Sequence, residues 1–545
     1  MKLFPLWRFY AFKPVSALMI LLSFLVACAE VTELSLHPLR IQAEAALQLE
    51  CMQLMFSGKI PYVDFFTDTV PMVFYLASIP TYFANQLHLH PIMVFNFCVL
   101  SLSWILLILV TSLVKAHSSK STIALVVVFA LLPLLFRFQF GQIDYVFFVL
   151  FFPFMLARWL RWQGQFLGGV SSMGAGIAGG IAINLNPLFC LFPAALELFW
   201  FLKRRTVANL FSKEMKTFYL LCAFYWLHFV AYPAKIFSSI LHSVISSLIL
   251  QVSCHDPFLM YQGASPDQRV YIYIFAVLVT LGLASRHQCS FLLPLILFDF
   301  VAFMLFLLNG RGSSADLLLV NVANIMLLPV VCLSLLKALP KPNFVIARKS
   351  LLLMAISLTG LCLVYQLLTI DYTQFQSLKH LGYRGYQNKQ DLAPFADFLE
   401  KDSRPGETVL FLTNEIEPAY PLLLQLRRLP GSYYLCGNPI FRWQLAYDQR
   451  AAKQLWQEQF EAVPAKLASD LITKRPVLVF LESGQPWEEL RKGIFGEVLK
   501  DHYQLPRGYC MWDIDAFARK ATYPFEYLGQ RLDFDVFARE KEAGL

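Results

Sequence analysis

Apolar runs of about twenty residues recur along this chain, each long enough as a helix to cross a bilayer. They lie near residues 14–30, 71–88, 91–114, 122–138, 145–160, 167–184, 187–202, 216–234, 270–285, 289–309, 316–336 and 350–369. No other property restricts the fold as severely, because backbone in lipid must satisfy its own hydrogen bonds, and helices do so. Of 545 residues, 57% are hydrophobic and 15% charged, against roughly 25% charged in soluble domains. The chain is read as a polytopic α-helical membrane protein. Its formal charge of +8 calls for no nucleic-acid partner, since much of the Lys/Arg excess sits in short loops between spans, as cytoplasmic loops require.

Charge placement orders the spans. Basic ends at Lys2–Lys13, Lys115–Lys120, Arg158–Arg161, Lys203–Arg205, Arg286 and Lys337–Lys349 are read as cytoplasmic. The loops at 31–90, 139–144, 185–187, 235–269 and 310–315, and the tail after 370, are then exterior. This alternation holds only if 71–88 does not cross. That run is short, carries Pro71 and Pro80 and lacks a basic end, so it is expected to lie at the exterior face or dip into it. About eleven spans follow, with the N-terminus inside and the C-terminus outside. Leu25-Val26-Ala27-Cys28 resembles a lipoprotein cleavage box, but the reading adopted is a retained first helix.

Residues 40–57 read as an amphipathic helix with Leu47, Cys51, Leu54 and Met55 near one face, and 237–251 as a second exterior interfacial helix. Near Asp371 charge rises and Pro/Gly breaks become frequent. Thr408–Thr413 and Pro476–Leu481 predict buried strands, and Arg450–Lys474 and Trp487–Lys500 predict helices. The expected organisation is a transmembrane domain over 1–370 and an exterior soluble α/β domain over 371–545. No phosphate loop, GxGxxG fingerprint or internal repeat is present. The 11 cysteines carry no CxxC or Cys/His metal spacing. Cys436 and Cys510 share the polar region, where a disulfide outside the cytosol stays open.

The candidate chemistry lies between the first spans. Residues 1–150 hold seven acids, and six fall between Glu30 and Asp68. Acids near a bilayer are expensive and default to functional candidates. Gly58–Tyr75, GKIPYVDFFTDTVPMVFY, places Asp64 and Asp68 between long hydrophobic stretches. The loop at 31–90 therefore reads as an active site at a membrane face.

From Glu44 to Met72 the chain shows an acid, a helix of about a dozen residues, then G-x-x-P-Y-x-D-F and a proline-containing turn. This resembles the first exterior loop of the GT-C superfamily, integral membrane glycosyltransferases that use polyprenyl-phosphate-linked sugars. The similar branch holds bacterial protein mannosyltransferases and lipid A aminoarabinose transferases. Phe140–Tyr145, Gly174–Pro187 followed by Ala195-Leu196-Glu197-Leu198, and Val409–Leu422 resemble further motifs of that branch, in the same order. The departures are Ala45 for a Glu, Thr69 and Val70 in the stretch before Pro71, Tyr145 for a His, and Asn186 for a Lys.

The resemblance implies transfer of a sugar from a polyprenyl-phosphate donor to an exterior acceptor, a glycan, lipid or protein. It places the protein in the bacterial inner membrane. Glu44 becomes the expected base, with Asp64 beside it binding or orienting substrate. Arg40, Arg137 and Arg269 are candidates for the lipid phosphate, which a guanidinium holds bidentately. Asp144 would orient one of them or contact the sugar. No residue is assigned to a metal, and a divalent cation stays open as a cofactor. Structural alternatives stand beside each: a solvated loop acid for Asp64, the polar face of a helix for Glu44, an N-cap for Asp144, interfacial anchors for the arginines. Asp68 is read as structural, and Asp299 as a structural residue that pairs with a polar neighbour such as Asn321 or Asn324 or lines a polar cavity. The competing functions are a transporter or lipid flippase, and a non-catalytic protein on the GT-C fold.

Overall fold

The computed structural model describes residues 26–32, 34–35, 38–114, 120–137, 139–234, 236–241, 245, 274–281, 283, 291–309, 317–338, 393–437, 440, 453–482, 487–504, 522–527 and 530–539. Arg269, Cys510 and most of the expected helix at 237–251 lie outside them.

The described helices before the C-terminal region are α1 (Ala43–Phe56), α2 (Pro71–Leu87), α3 (Pro91–Val114), α4 (Lys120–Leu135), α5 (Ile143–Trp162), α6 (Gly169–Ile183), α7 (Leu191–Arg204), α8 (Lys213–His228), α9 (Leu292–Asn309) and α10 (Leu318–Ala338). Among the described residues, α3 and α5 are long and apolar enough to cross a membrane, and parts of α4, α6, α9 and α10 form apolar helices of 10–17 residues. Large apolar side chains stand exposed on α3 (Ile105, Ile108) and α8 (Leu220, Phe224, Leu227). Water disfavours such a surface, and lipid accepts it.

Helix α5 is the hub, buried on nearly every side. Phe147 stacks on Phe189 with ring centroids 4.0 Å apart, and Phe192 on α7 meets Phe298 on α9 at 4.5 Å. Helix α6 slides between α5 and α8 because it is rich in glycine. A Cβ on Gly176 would stand 2.3 Å from the Glu214 carbonyl oxygen. Small residues let backbones approach this closely, where dispersion and weak polar contacts replace a hydrophobic driving force.

One end of α5 is fixed by charge. Arg158 is fully buried and meets Glu197 on α7 through Nε at 2.5 Å and Nη2 at 2.8 Å. Its Nη1 donates to Glu214 at 3.0 Å, to Ser212 Oγ at 2.8 Å and to the Asn209 carbonyl at 3.1 Å. Arg161 closes on both oxygens of Glu214, at 2.9 and 3.1 Å. The cluster is two cations against two anions, so Arg158 and Arg161 are paired rather than bare loop charges. Asp299 behaves otherwise. Among the described residues, neither of its carboxylate oxygens has a hydrogen-bond partner, nor has either amide atom of Asn324 or Oδ1 of Asn321. The expected pairing is absent, although α9 and α10 pack together.

The C-terminal region contains α11 (Ala393–Asp402), β1 (Thr408–Leu412), α12 (Ala419–Gln425), β2 (Leu429–Pro430), α13 (Lys453–Thr473), β3 (Leu478–Glu482), α14 (Trp487–Leu490), α15 (Ile494–His502), β4 (Tyr503–Gln504), β5 (Thr522–Tyr527) and β6 (Gln530–Arg539). The sheet order is β2-β1-β3-β6-β4, with β5 paired to β6. Strands β1 and β3 run parallel, Val409 opposite Leu478, and both are apolar because helices cover the faces of such strands. Strand β6 joins β3 antiparallel, Phe480 opposite Val536. The result is a mixed sheet, where sequence alone predicts two strands.

This region docks on the loop after the first apolar run. Gln425 Nε2 donates to the Leu39 carbonyl at 2.9 Å, and Phe66 N–H to the Tyr433 carbonyl at 2.8 Å. Helix α12 packs directly on α1. The expectation of an amphipathic α1 is therefore corrected. Eight of its residues are buried, Gln48 and Glu50 among them, because α2 and α3 cover one side and α12 the other.

Candidate active site

Gln42 starts α1. Its extended backbone turns the chain, and its side-chain oxygen accepts from Glu44 N–H at 2.7 Å and Ala45 N–H at 3.4 Å. Glu44 is thereby held half-buried in the first helical turn, where the helix dipole favours a carboxylate. Just upstream, the buried Arg40 offers its carbonyl to Asn96 Nδ2 on α3 at 2.8 Å. The neighbouring Phe95 lies against Gly141, where a Cβ would stand 2.5 Å from Phe95 Cε1. Gly141 also has φ +81°, a conformation that favours glycine. Gly141 sits in the turn joining α4 to α5, between Arg137 and Asp144. Adjacent residues of α3 thus contact the segment that carries Arg40 and Glu44 and the turn that carries Arg137 and Asp144. Asp144 is not the N-cap. Gln142 holds that position, and Asp144 stands in the first turn of α5.

Asp64 belongs elsewhere. It is exposed, its Oδ2 accepts from Ile60 N–H at 2.7 Å, and its own N–H donates to the Ile60 carbonyl at 2.8 Å. Lys59 N–H, next in the chain, bonds to the Leu54 carbonyl at the far end of α1. Ten residues of helix separate Leu54 from Glu44, about 15 Å at 1.5 Å per residue. The two acids thus stand at opposite ends of α1 rather than side by side. Asp64 closes the turn that carries Tyr62, which adopts φ +66°. A bulky residue at positive φ marks local strain.

The second acid of the loop, Asp68, is half-buried. Burial pushes the Cys51 thiol well up, and Glu50, Cys436 and Asp68 add to the effect. Burial likewise raises Tyr62, with Asp68 contributing. Asp68 therefore shares the electrostatic surroundings of the middle of α1. The substituted positions also have local explanations. Ala45 is completely buried, so an acid there would meet the core. Asn186 caps the short turn Pro187–Cys190, accepting from Leu188 N–H at 3.0 Å. The Thr69 carbonyl takes the Tyr62 hydroxyl.

Sequence reading missed a polar cluster between α2 and the end of α8. Tyr75 OH lies 2.6 Å from His228 Nε2 and 3.2 Å from Tyr232 OH, and Met72 N–H donates to Tyr225 OH at 3.2 Å. His228 Nδ1 contacts the Tyr225 carbonyl. That contact places the ring proton on Nδ1, so Nε2 accepts from Tyr75, a geometry able to pass a proton between phenol and imidazole. Tyrosines and one histidine in apolar runs carry no motif signal. Among the described residues, no group of three or more His, Cys, Asp or Glu is placed to hold a metal ion.

No protein family and no curated protein matches the chain. Among solved structures, it is similar to ArnT from Cupriavidus metallidurans in the apo state, at 11% identity and a TM-score of 0.42, covering 96% of this chain and 98% of that one. An alignment that loose fixes neither the fold nor the activity of this chain.

Proposed function

We propose that this protein is a membrane glycosyltransferase of GT-C type, moving a sugar from a polyprenyl-phosphate donor to an exterior glycan, lipid or protein. One observation supports the reading: Asn96 on α3 holds the Arg40 carbonyl, and its neighbour Phe95 lies against Gly141, so the segment that carries Arg40 and Glu44 and the turn that carries Arg137 and Asp144 pack on adjacent residues of α3. Glycosyl transfer needs a base or charge stabiliser by the acceptor hydroxyl, and cations on the departing phosphate. Glu44 serves as the base, and Arg40 and Arg137 take the phosphate, with Arg269 as a further candidate. Asp144 orients the arginines or contacts the sugar. Asp64 acts by shaping the loop. The α/β domain over 371–545 lies on the same exterior side as the loop at 31–90, in keeping with their direct contact, and governs acceptor access. The loop departures favour the competing reading, a non-catalytic protein on this fold, since Ala45 is core and Asp64 is engaged in its own turn.

The test is Glu44→Gln and Arg137→Gln in cells, with membrane insertion confirmed, reading lipid-linked sugars and surface glycans. Accumulation of the lipid-linked donor with loss of a modified acceptor supports the transferase. Unchanged lipid and glycan profiles in both variants refute it.

A further inference from the structure

A cavity of about 390 Å³ lies where the end of α2 and the start of α3 meet the middle of α1. Its walls come from α1, the α2–α3 connection and the segment after α12. That volume is within the range of small-ligand sites. Glu50 is 1% exposed, and its Oε1 has no hydrogen-bond partner among the described residues. His90 is also buried; the backbone of Leu424 and Gln425 stands against its ring, and its Nε2 makes no hydrogen bond of ordinary geometry among the described residues. Arg427 stands exposed at the edge with φ +54°, its guanidinium without an ion pair among the described residues. Buried polar groups left unsatisfied are costly, and they ask for a partner that enters from outside.

We infer that this cavity binds a phosphate-type oxyanion, held by Arg427 with Glu50 and His90 as donors from the buried wall. The inference goes beyond the transferase reading and does not depend on it. The chemistry of the wall supports an anion. His90 Nδ1 accepts from Ile92 N–H at 3.3 Å, which leaves the proton on Nε2. Burial, with Arg427 nearby, holds the His90 ring down at about 4, so it is neutral. Burial pushes Glu50 up to about 8, so at neutral pH it keeps its proton and donates. Arg427 supplies the charge and the planar fork that phosphate oxygens accept. Arg428, on the same wall, is already occupied by Ser403 Oγ and by the carbonyls of Leu399, Ser403 and Leu426. It fixes the wall rather than the ligand. Two sources offer this chemistry: a free phosphate or a lipid phosphate headgroup.

The experiment uses the full-length protein in phosphatidylcholine nanodiscs, titrated with inorganic phosphate, and in parallel nanodiscs doped with phosphatidic acid. Saturable binding or thermal stabilisation is read for wild type, Arg427→Gln, Glu50→Gln and Glu50→Leu. Arg427 is exposed, so its variant folds, and it should weaken binding about tenfold or more. Glu50→Gln keeps an N–H donor and should bind within about threefold of wild type, whereas Glu50→Leu should lose binding. Response to inorganic phosphate identifies a soluble source, and response to phosphatidic acid alone a lipid one. Either result supports the site. No response to either probe, or an Arg427→Gln protein that binds like wild type, overturns it.

Discussion

Replacing Arg158 with alanine should damage this protein more than any other single charge deletion in the bundle. The guanidinium makes two hydrogen bonds to Glu197, one to Glu214, one to Ser212 and one to the Asn209 carbonyl. Removal does not strand both acids equally. Glu214 keeps both bonds from Arg161. Glu197 keeps only Trp162 Nε1, at 3.3 Å, with 12% of its side chain exposed. A buried charge losing its partner costs about 3–5 kcal/mol, and the residual hydration of Glu197 places Arg158→Ala near the lower end. Arg161 is 19% exposed and Glu214 retains Arg158 after its loss, so Arg161→Ala should cost about 1 kcal/mol. Denaturation in mixed micelles can follow Trp162 and Trp200, stacked 5.9 Å apart beside the cluster. A double-mutant cycle of Arg158→Ala with Glu197→Ala should give a coupling of about 2 kcal/mol. Equal losses for the two arginines, or additivity of the pair within about 0.5 kcal/mol, would refute the reasoning.

Three further outcomes follow from named contacts. Glu50 is raised by burial from 4.5 to about 8, so the folded state holds a proton that the unfolded state releases between those values. Stability should then fall as pH climbs from about 4.5 to 8, by at most roughly 4 kcal/mol, and Glu50→Gln should flatten the curve measured by denaturation at each pH. Gly176→Val drives a side chain into the Glu214 carbonyl, 2.3 Å from its Cβ, and should cost about 2 kcal/mol or more, whereas Gly58→Ala, with open space but φ +89°, should cost about 1 kcal/mol; similar losses in melting experiments would contradict this. Tyr75→Phe removes the hydroxyl from His228 and Tyr232 and should cost about 1–2 kcal/mol, with a shifted His228 resonance in a pH titration by NMR; an unmoved resonance would dissolve the cluster as a unit.

Helix positions were legible because hydrophobic runs need no partner to be recognised. The run at 91–114 matches α3 end to end, and 145–160 sits inside α5. Buried strands were legible for the same reason, since Val409–Leu412 and Leu478–Leu481 are unbroken apolar runs. The hairpin of β5 and β6 was not, because TYPFEY and QRLDFDVFAR mix charge and proline into the pattern. Glu44, Asp64 and Asp144 were singled out through the family resemblance and Arg40 by its place at an expected exterior span end, and Asp64 was set beside Glu44 because both lie in one loop. Twenty residues separate them, and a helix of 14 lies between. Sequence distance carries no information about which end of that helix the chain returns to. Glu197 was noticed as part of a motif, yet its partner Arg158 lies 39 residues earlier, a pairing that only the folded bundle displays.

The burial of α1 links these observations. Its residues show no clean polar face, because α12 supplies a second apolar contact where water would otherwise stand. A 14-residue helix with Glu50 in its interior has little reason to persist once that cover is removed. The loop at 31–90 and the α/β region are therefore one cooperative unit joined through Gln425–Leu39 and Phe66–Tyr433. Ligand access to the loop follows from the openings that this docking leaves. The cavity at Glu50, walled by α1, the α2–α3 connection and the segment after α12, is one such opening. Any movement of the α/β region on the loop would reshape that cavity, because Leu424 of α12 and Arg427, Arg428 and Leu429 after it form one of its walls.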